Sequence, residues 1–331
     1  MAALLASTRR ATPVVSRLRA ACVQQRRCFG VAQGNSIHVE DVTPRDGLQN
    51  EESVLSTKSK LELVERIVAT GPASVEVTSF VRKDLIPALA DASDLCTQLA
   101  DAEWLHEARD SGMRFAGLVP NMRGYEGLRE HNDVLDTACV VTSATESHSK
   151  ANVNRSVADA LKASCEVITL AKSEGFATKA YVSMCFGCPF EGDVDPAVVQ
   201  DIVQAYAAVS ADTVVICDTL GIGYPEQVDR LINSALDEVP VEKLAMHIHD
   251  THGRGASICQ RGFELGIRRF DSAVGGAGGC NFAPGAEGNI ATERLLTELQ
   301  HIGAEHSIDR EQLDETRGFL EVQLGKSLRS A

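Results

Sequence analysis

Short apolar runs recur along the chain near residues 37–42, 74–78, 114–119, 137–142, 179–184, 213–217, 244–249 and 269–273. Between them, apolar residues follow helical spacing over 57–70, 86–110, 122–130, 156–174, 195–210, 225–237 and 254–265, and again after Asn289. The first set predicts strands, and the second predicts helices with one buried face. Strict alternation of the two argues for a parallel sheet with helical crossovers, and eight such units in roughly 270 residues match a TIM (β/α)8 barrel in count and size. A doubly wound open sheet is the alternative, but no GxGxxG follows the first strand. A leftover helical stretch at 309–325 is expected to pack beside the barrel as an additional C-terminal helix.

With 331 residues and 44% apolar content the chain can bury a sizeable core. It has no run of the ~18 apolar residues that a membrane span requires. Residues 1–29 carry Arg9, Arg10, Arg17, Arg19, Arg26 and Arg27 and no acid, a composition that predicts a mitochondrial presequence. The mature chain is then expected to begin near Gly30 and to form one barrel domain, residues 30–331, in the matrix.

Over the whole chain 32 basic residues face 46 acidic ones, a formal charge of −14. Without the six leader arginines, 26 basic residues face the same 46, and the charge becomes −20. So acidic a body suits neither nucleic acid nor an anionic membrane, which leaves small molecules as the expected partners. Of ten cysteines, Cys22 and Cys28 fall in the leader, and a reducing matrix predicts free thiols for the rest. Cys185 and Cys188 form the only CxxC, with no second pair at zinc-finger spacing. Cys280 sits apart, in the glycine-rich stretch GGAGGCNFAPGAEGN.

The seventh strand reads LAMHIHDTHG, and side chains two apart on a strand share a face, so His247 and His249 project together. Two such imidazoles can meet one metal ion, although a buried strand with two hydrogen-bonded histidines gives the same pattern. Barrel enzymes gather their reactive groups where strands end. There the chain places Arg45 and Asp46 after strand one, Glu76 in strand two, Asp218 at the end of strand six, and Cys280 and Asn289 after strand eight. Singly, Arg45 and Asp46 could be a charged turn, Glu76 an ion-pair partner and Asn289 a helix cap. Jointly they form a nitrogen and oxygen donor set suited to Mg²⁺, Mn²⁺ or Zn²⁺, with the balance of oxygen favouring Mg²⁺ or Mn²⁺.

The segments TPRDGLQNE, VEVTSFV, CFGCPFEG, DTLGIG, HIHDTHG and GGAGGCNFAPGAEGNIATE, spread over residues 43–293, resemble the 3-hydroxy-3-methylglutaryl-CoA lyases of the DRE-TIM metallolyase superfamily. The condensing relatives, isopropylmalate and homocitrate synthases, share the RDG segment and the HxH, but the QNE continuation and the GGCNFAPGAEGN loop are similar to the lyase branch. The resemblance implies a pyruvate carboxyltransferase-like barrel that cleaves 3-hydroxy-3-methylglutaryl-CoA to acetyl-CoA and acetoacetate, a reaction of leucine degradation and ketone body formation. It implies a divalent metal, Mg²⁺ ahead of Mn²⁺, held by Asp46, His247, His249 and Asn289. It further implies substrate binding and charge neutralisation by Arg45, proton return by Cys280, proton removal by Glu76 or Asp218, and assembly as a homodimer. A lyase for another 3-hydroxyacyl-CoA, or a Claisen-condensing synthase, is the alternative.

Three departures bear on the acyl group and the CoA handle. Family members that continue QNEK have a lysine where this chain has Glu52, residues 79–88 read SFVRKDLIPA in place of SFVSPKWVPQ, and Asn281 replaces a proline after the cysteine. Arg82, Lys83, Lys150 and Arg155 are the candidate replacement phosphate contacts.

Overall fold

The structure, a computed structural model, describes residues 34–279 and 288–329. The expected presequence and Cys280 lie outside the described residues. Eight strands, β1 (His38–Asp41), β2 (Ser74–Ser79), β3 (Arg114–Leu118), β4 (Thr137–Ser143), β5 (Ala177–Ser183), β6 (Thr213–Asp218), β7 (Leu244–Ile248) and β8 (Arg269–Ser272), pair in parallel in sequence order. Strand β8 returns to pair with β1 and closes the barrel. This is the predicted TIM barrel.

The helices are α1 (Thr57–Thr70), α2 (Ala92–Ala100), α3 (Glu103–Asp110), α4 (Met122–Arg129), α5 (Glu146–Val153), α6 (Val157–Ser173), α7 (Pro196–Ala208), α8 (Pro225–Leu236), α9 (Gly255–Glu264), α10 (Thr292–His301) and α11 (Arg310–Leu324). Two of them differ from the sequence expectation. The single helix expected over 86–110 is a short turn at Pro87–Leu89 followed by α2 and α3, because Ile86 is held extended before Pro87 and Ala102 is extended at φ −86°, ψ 111°. Helix α5 was not expected at all: it buries only His148 and Ser149, so no apolar stripe announces it. The leftover helix is real, and α11 packs Leu313, Leu320 and Leu324 beside α1.

Apolar residues fill two spaces. Leu63, Val64, Ile67 and Val68 of α1 join the layer between helices and strands, whereas Ala116, Leu118, Cys139, Tyr181, Val215, Cys217 and Ala245 form a smaller cluster inside the barrel. The alternation of side chains along each strand separates the two sets, with Tyr181 and Val215 inside and their neighbours Val182 and Ile216 outside. Strand β2 breaks its register against β3 between Glu76 and Thr78, an extra residue of the kind that re-aims side chains near a barrel rim.

Candidate active site

At the end of β1 the chain tightens into a π-helical turn, Thr43–Gly47, in which Gly47 N–H donates to Val42 O at 3.1 Å. Pro44 has no N–H to satisfy there. The side chain of Asp41 accepts from Thr43 N at 2.9 Å, and Thr43 Oγ1 accepts from Val274 N at 2.8 Å, which ties the first loop of the barrel to the last. The turn presents Arg45 inward. Its Nε donates to Glu76 Oε1 at 2.8 Å, its Nη2 to Glu76 Oε2 at 3.2 Å, and its Nη1 to Asp46 Oδ1. Tyr181 donates its hydroxyl to Glu76 Oε2 at 2.6 Å, so the carboxylate is fixed from two sides.

Burial by itself would raise Asp46, but the Arg45 guanidinium and the nearby imidazoles outweigh it and hold the carboxyl well below its usual range. Burial likewise opposes the charge on Arg45, and Glu76 and Asp46 reverse that and raise it.

Asp46, His247 and His249 each present one ligand atom, all within 4.8 Å of one another. His247 Nε2 lies 3.8 Å and His249 Nε2 3.6 Å from Asp46 Oδ2. Asn289 reaches the same point because residues 288–290 lie along the extension of β7: Asp250 N donates to Gly288 O at 3.0 Å, Ile290 N donates to Ile248 O at 2.9 Å, and His249 and Asn289 form a β-bridge. The backbones of Gly278 and Gly288 touch so closely that a Cβ on Gly288 would lie 2.5 Å from Gly278 C. Asn289 is thereby brought to Asp46 Oδ2, to which its Nδ2 donates at 2.8 Å, and to Ala277 O at 3.1 Å. It does not cap α10, whose N-cap is Ala291 with no side-chain bond.

A divalent cation fits these residues. Asn289 Oδ1 is buried without a hydrogen-bond partner, which is costly unless something else engages it. Buried Arg45 and Glu76 and half-buried Asp46 together carry one more negative than positive charge. Oxygen and imidazole donors without a thiolate suit a hard or borderline ion.

Asp218 stands at the end of β6, where its Oδ1 accepts from Ile222 N at 3.2 Å and its Oδ2 from Gly223 N at 2.8 Å. It does not join the Arg45–Glu76 pair. Burial pushes its carboxyl up against those bonds. Among the described cysteines all seven are free thiols. Arg82, Lys83, Lys150 and Arg155 are exposed, and Arg82 is paired with Asp84.

Sequence reasoning missed Tyr181 and the ions beneath it. Lys179 Nζ donates to Glu40 Oε2 at 2.6 Å and to Asp271 Oδ1 at 2.7 Å, and Arg269 donates to Glu40 Oε1 at 3.2 Å. The available signal was a lysine two residues before a tyrosine in a strand with no other charged residue, a spacing that puts both on one face. Asn50 was also passed over; its Nδ2 donates to Gly279 O at 2.8 Å and pins the glycine-rich stretch to the first loop.

Residues 36–320 match the family model HMGL-like. Over 294 residues the chain is 34% identical to a hydroxymethylglutaryl-CoA lyase of Bacillus subtilis, covering 89% of this chain and 95% of that one. It is equally 34% identical over 300 residues to the (R)-citramalyl-CoA lyase of Chloroflexus aurantiacus, with 88% and 92% covered. Among solved structures, an HMG-CoA lyase of Acinetobacter baumannii in complex with coenzyme A and 3-methylmalate superposes with a TM-score of 0.83 at 32% identity, covering 91% of this chain and 95% of that one.

Proposed function

The chain belongs to the HMGL-like family, and from that membership we propose that it is a divalent-metal-dependent carbon–carbon lyase that cleaves 3-hydroxy-3-methylglutaryl-CoA to acetyl-CoA and acetoacetate. The observation that carries the reading is the meeting of Asp46, His247 and His249, with Asn289 beside them, at the mouth of the barrel. Those four residues would hold the cation, Mg²⁺ ahead of Mn²⁺. When bound, it supplies Lewis-acid polarisation and a template for oxygen ligands.

The reaction removes the proton of a tertiary hydroxyl, breaks the adjacent C–C bond as a ketone forms, and leaves the electron pair on the thioester as an enolate that must be protonated. Arg45, fixed by Glu76 and Asp46, offers a buried positive charge to that enolate oxygen. Such a donor contributes about 2.7–4 kcal/mol to a transition state. Glu76 and Asp218 are the acids at this rim for the hydroxyl proton, and Cys280 is assigned the return of a proton to carbon by the resemblance stated above. The acid-free, arginine-bearing first 29 residues support action in the mitochondrial matrix.

A second reading, a lyase for citramalyl-CoA, is favoured by the equal identity to the citramalyl-CoA lyase and by the changes at Glu52 and residues 82–85. The test is a panel of purified-protein assays with 3-hydroxy-3-methylglutaryl-CoA, (R)-citramalyl-CoA, and acetyl-CoA plus 2-oxo acids. Acetoacetate release that a chelator stops and Mg²⁺ or Mn²⁺ restores is expected. Turnover unchanged by chelation refutes the metal, pyruvate from citramalyl-CoA alone selects the second reading, and product only from the condensing mixture overturns both.

A further inference from the structure

His247 has two ring nitrogens, and only one can face the site it shares with Asp46 and His249. Its Nε2 does so, while its Nδ1 lies 3.2 Å from Asp271 Oδ2 on the neighbouring strand, where the two residues pair in register. Asp271 is 1% exposed. Its other oxygen accepts from Lys179 Nζ at 2.7 Å, and Lys179 is held in turn by Glu40, and Glu40 by Arg269. Two cations and two carboxylates thus alternate through the barrel interior and end on the ring of His247.

An ionised carboxylate can only accept hydrogen bonds. With Lys179 on one oxygen, the other calls for a donor, so Nδ1 of His247 carries a proton, and in the neutral ring Nε2 is then the nitrogen with the lone pair. Lys179 also lies 4.9 Å over the Tyr181 ring, and the same tyrosine meets the His247 ring edge-on at 5.8 Å. The Tyr181 hydroxyl fixes Glu76 and through it Arg45, so both halves of the site rest on one buried ammonium.

We propose that Asp271 is the positioning residue that holds His247 in its metal-binding tautomer, and that Lys179 orients Asp271 to do so. The proposal rests on the reading of Asp46, His247, His249 and Asn289 as a metal site. A chain of ions that served only to fill the barrel would not need to end on a ligand, and buried ion quartets are poor stabilisers compared with apolar packing of the same volume.

The direct measurement is the ¹⁵N spectrum of metal-free protein labelled at histidine, with the His247 signals identified by their loss in His247→Gln. Nδ1-protonated, Nε2-bare nitrogen shifts are expected for the neutral ring, and a neutral ring that carries its proton on Nε2 overturns the proposal. Asp271→Asn should turn its amide toward Nδ1, because Lys179 claims the remaining oxygen. Its Mn²⁺ dissociation constant, followed by electron paramagnetic resonance, should rise about 10- to 100-fold, with the thermal transition still cooperative. Lys179→Arg should keep the wild-type tautomer. Unchanged Mn²⁺ affinity in Asp271→Asn sinks the proposal. Failure of the wild type itself to bind Mn²⁺ sinks the metal reading instead, and the two results are distinguishable.

Discussion

Gly288 is where a single methyl group should damage the site most. An added Cβ would meet Gly278 C at 2.5 Å, its O at 2.6 Å and its Cα at 2.8 Å, all of them backbone atoms that no rotamer change can remove. Non-bonded carbons settle at about 3.5–4.0 Å, so one backbone has to retreat by roughly 1 Å. Gly278 is poorly able to give, since it holds φ +122° and a Cβ there would itself meet Asn289 Nδ2 at 2.9 Å. Overpacking of this kind costs about 1–3 kcal/mol. The larger effect falls on the next residue, Asn289, whose 2.8 Å bond to Asp46 does not survive such a shift. A misplacement of about 1 Å among reacting groups costs on the order of 100-fold in rate. Gly288→Ala should therefore lose about that much kcat/KM for carbon–carbon cleavage of the acyl-CoA and bind Mn²⁺ more weakly, while melting only a few degrees lower. Gly318→Ala is the control: it lies in α11 with nothing within 4 Å of the added Cβ, and should gain about 0.5–1 kcal/mol with activity untouched. Wild-type turnover and Mn²⁺ affinity in Gly288→Ala would refute the idea that this glycine contact places Asn289.

Two further perturbations separate catalysis from stability. Tyr181→Phe deletes the 2.6 Å bond to buried Glu76, and a hydrogen bond to a charged group contributes about 1.5–3 kcal/mol, which urea unfolding should read as a lower midpoint at constant m-value; an unchanged midpoint would mean that Arg45 alone fixes Glu76. Asp41 titrates in the opposite sense from a paired carboxylate, because burial lifts its carboxyl from 3.8 to about 7 despite its bond from Thr43. Burial does the same to Glu293, also to about 7. The folded state then holds protons that the unfolded chain has released, so stability falls as pH climbs from about 4 through 7. Asp41→Asn should flatten that slope and overtake the wild type on the alkaline side, and chemical denaturation at several pH values showing parallel curves would count against it.

The chain by itself determined the barrel and the eight strand positions to within a few residues, because apolar periodicity is a local signal, and strand-end placement together with the family resemblance named the four candidate ligands. The bounds of α1 could be read directly, since Ser56 caps its start and Gly71 ends it in a left-handed turn. Helix α5 stayed hidden because it buries little, and the 86–110 stretch reads as one helix because the chain turns extended at Ala102 with neither Pro nor Gly there and no side-chain cap. What only the tertiary structure decided is the wiring around the ligands. Asp271 and Lys179 are 92 residues apart in sequence and meet at 2.7 Å only because β5 and β8 face each other across a closed barrel. Asn289 is separated by 243 residues from Asp46 and reaches it only because two glycine backbones touch and a stretch of chain lies along the end of β7. Spacing along the chain names the groups that can act, but hydrogen bonds between strands choose which nitrogen of the His247 imidazole faces Asp46 and which oxygen of Asp271 is left to accept.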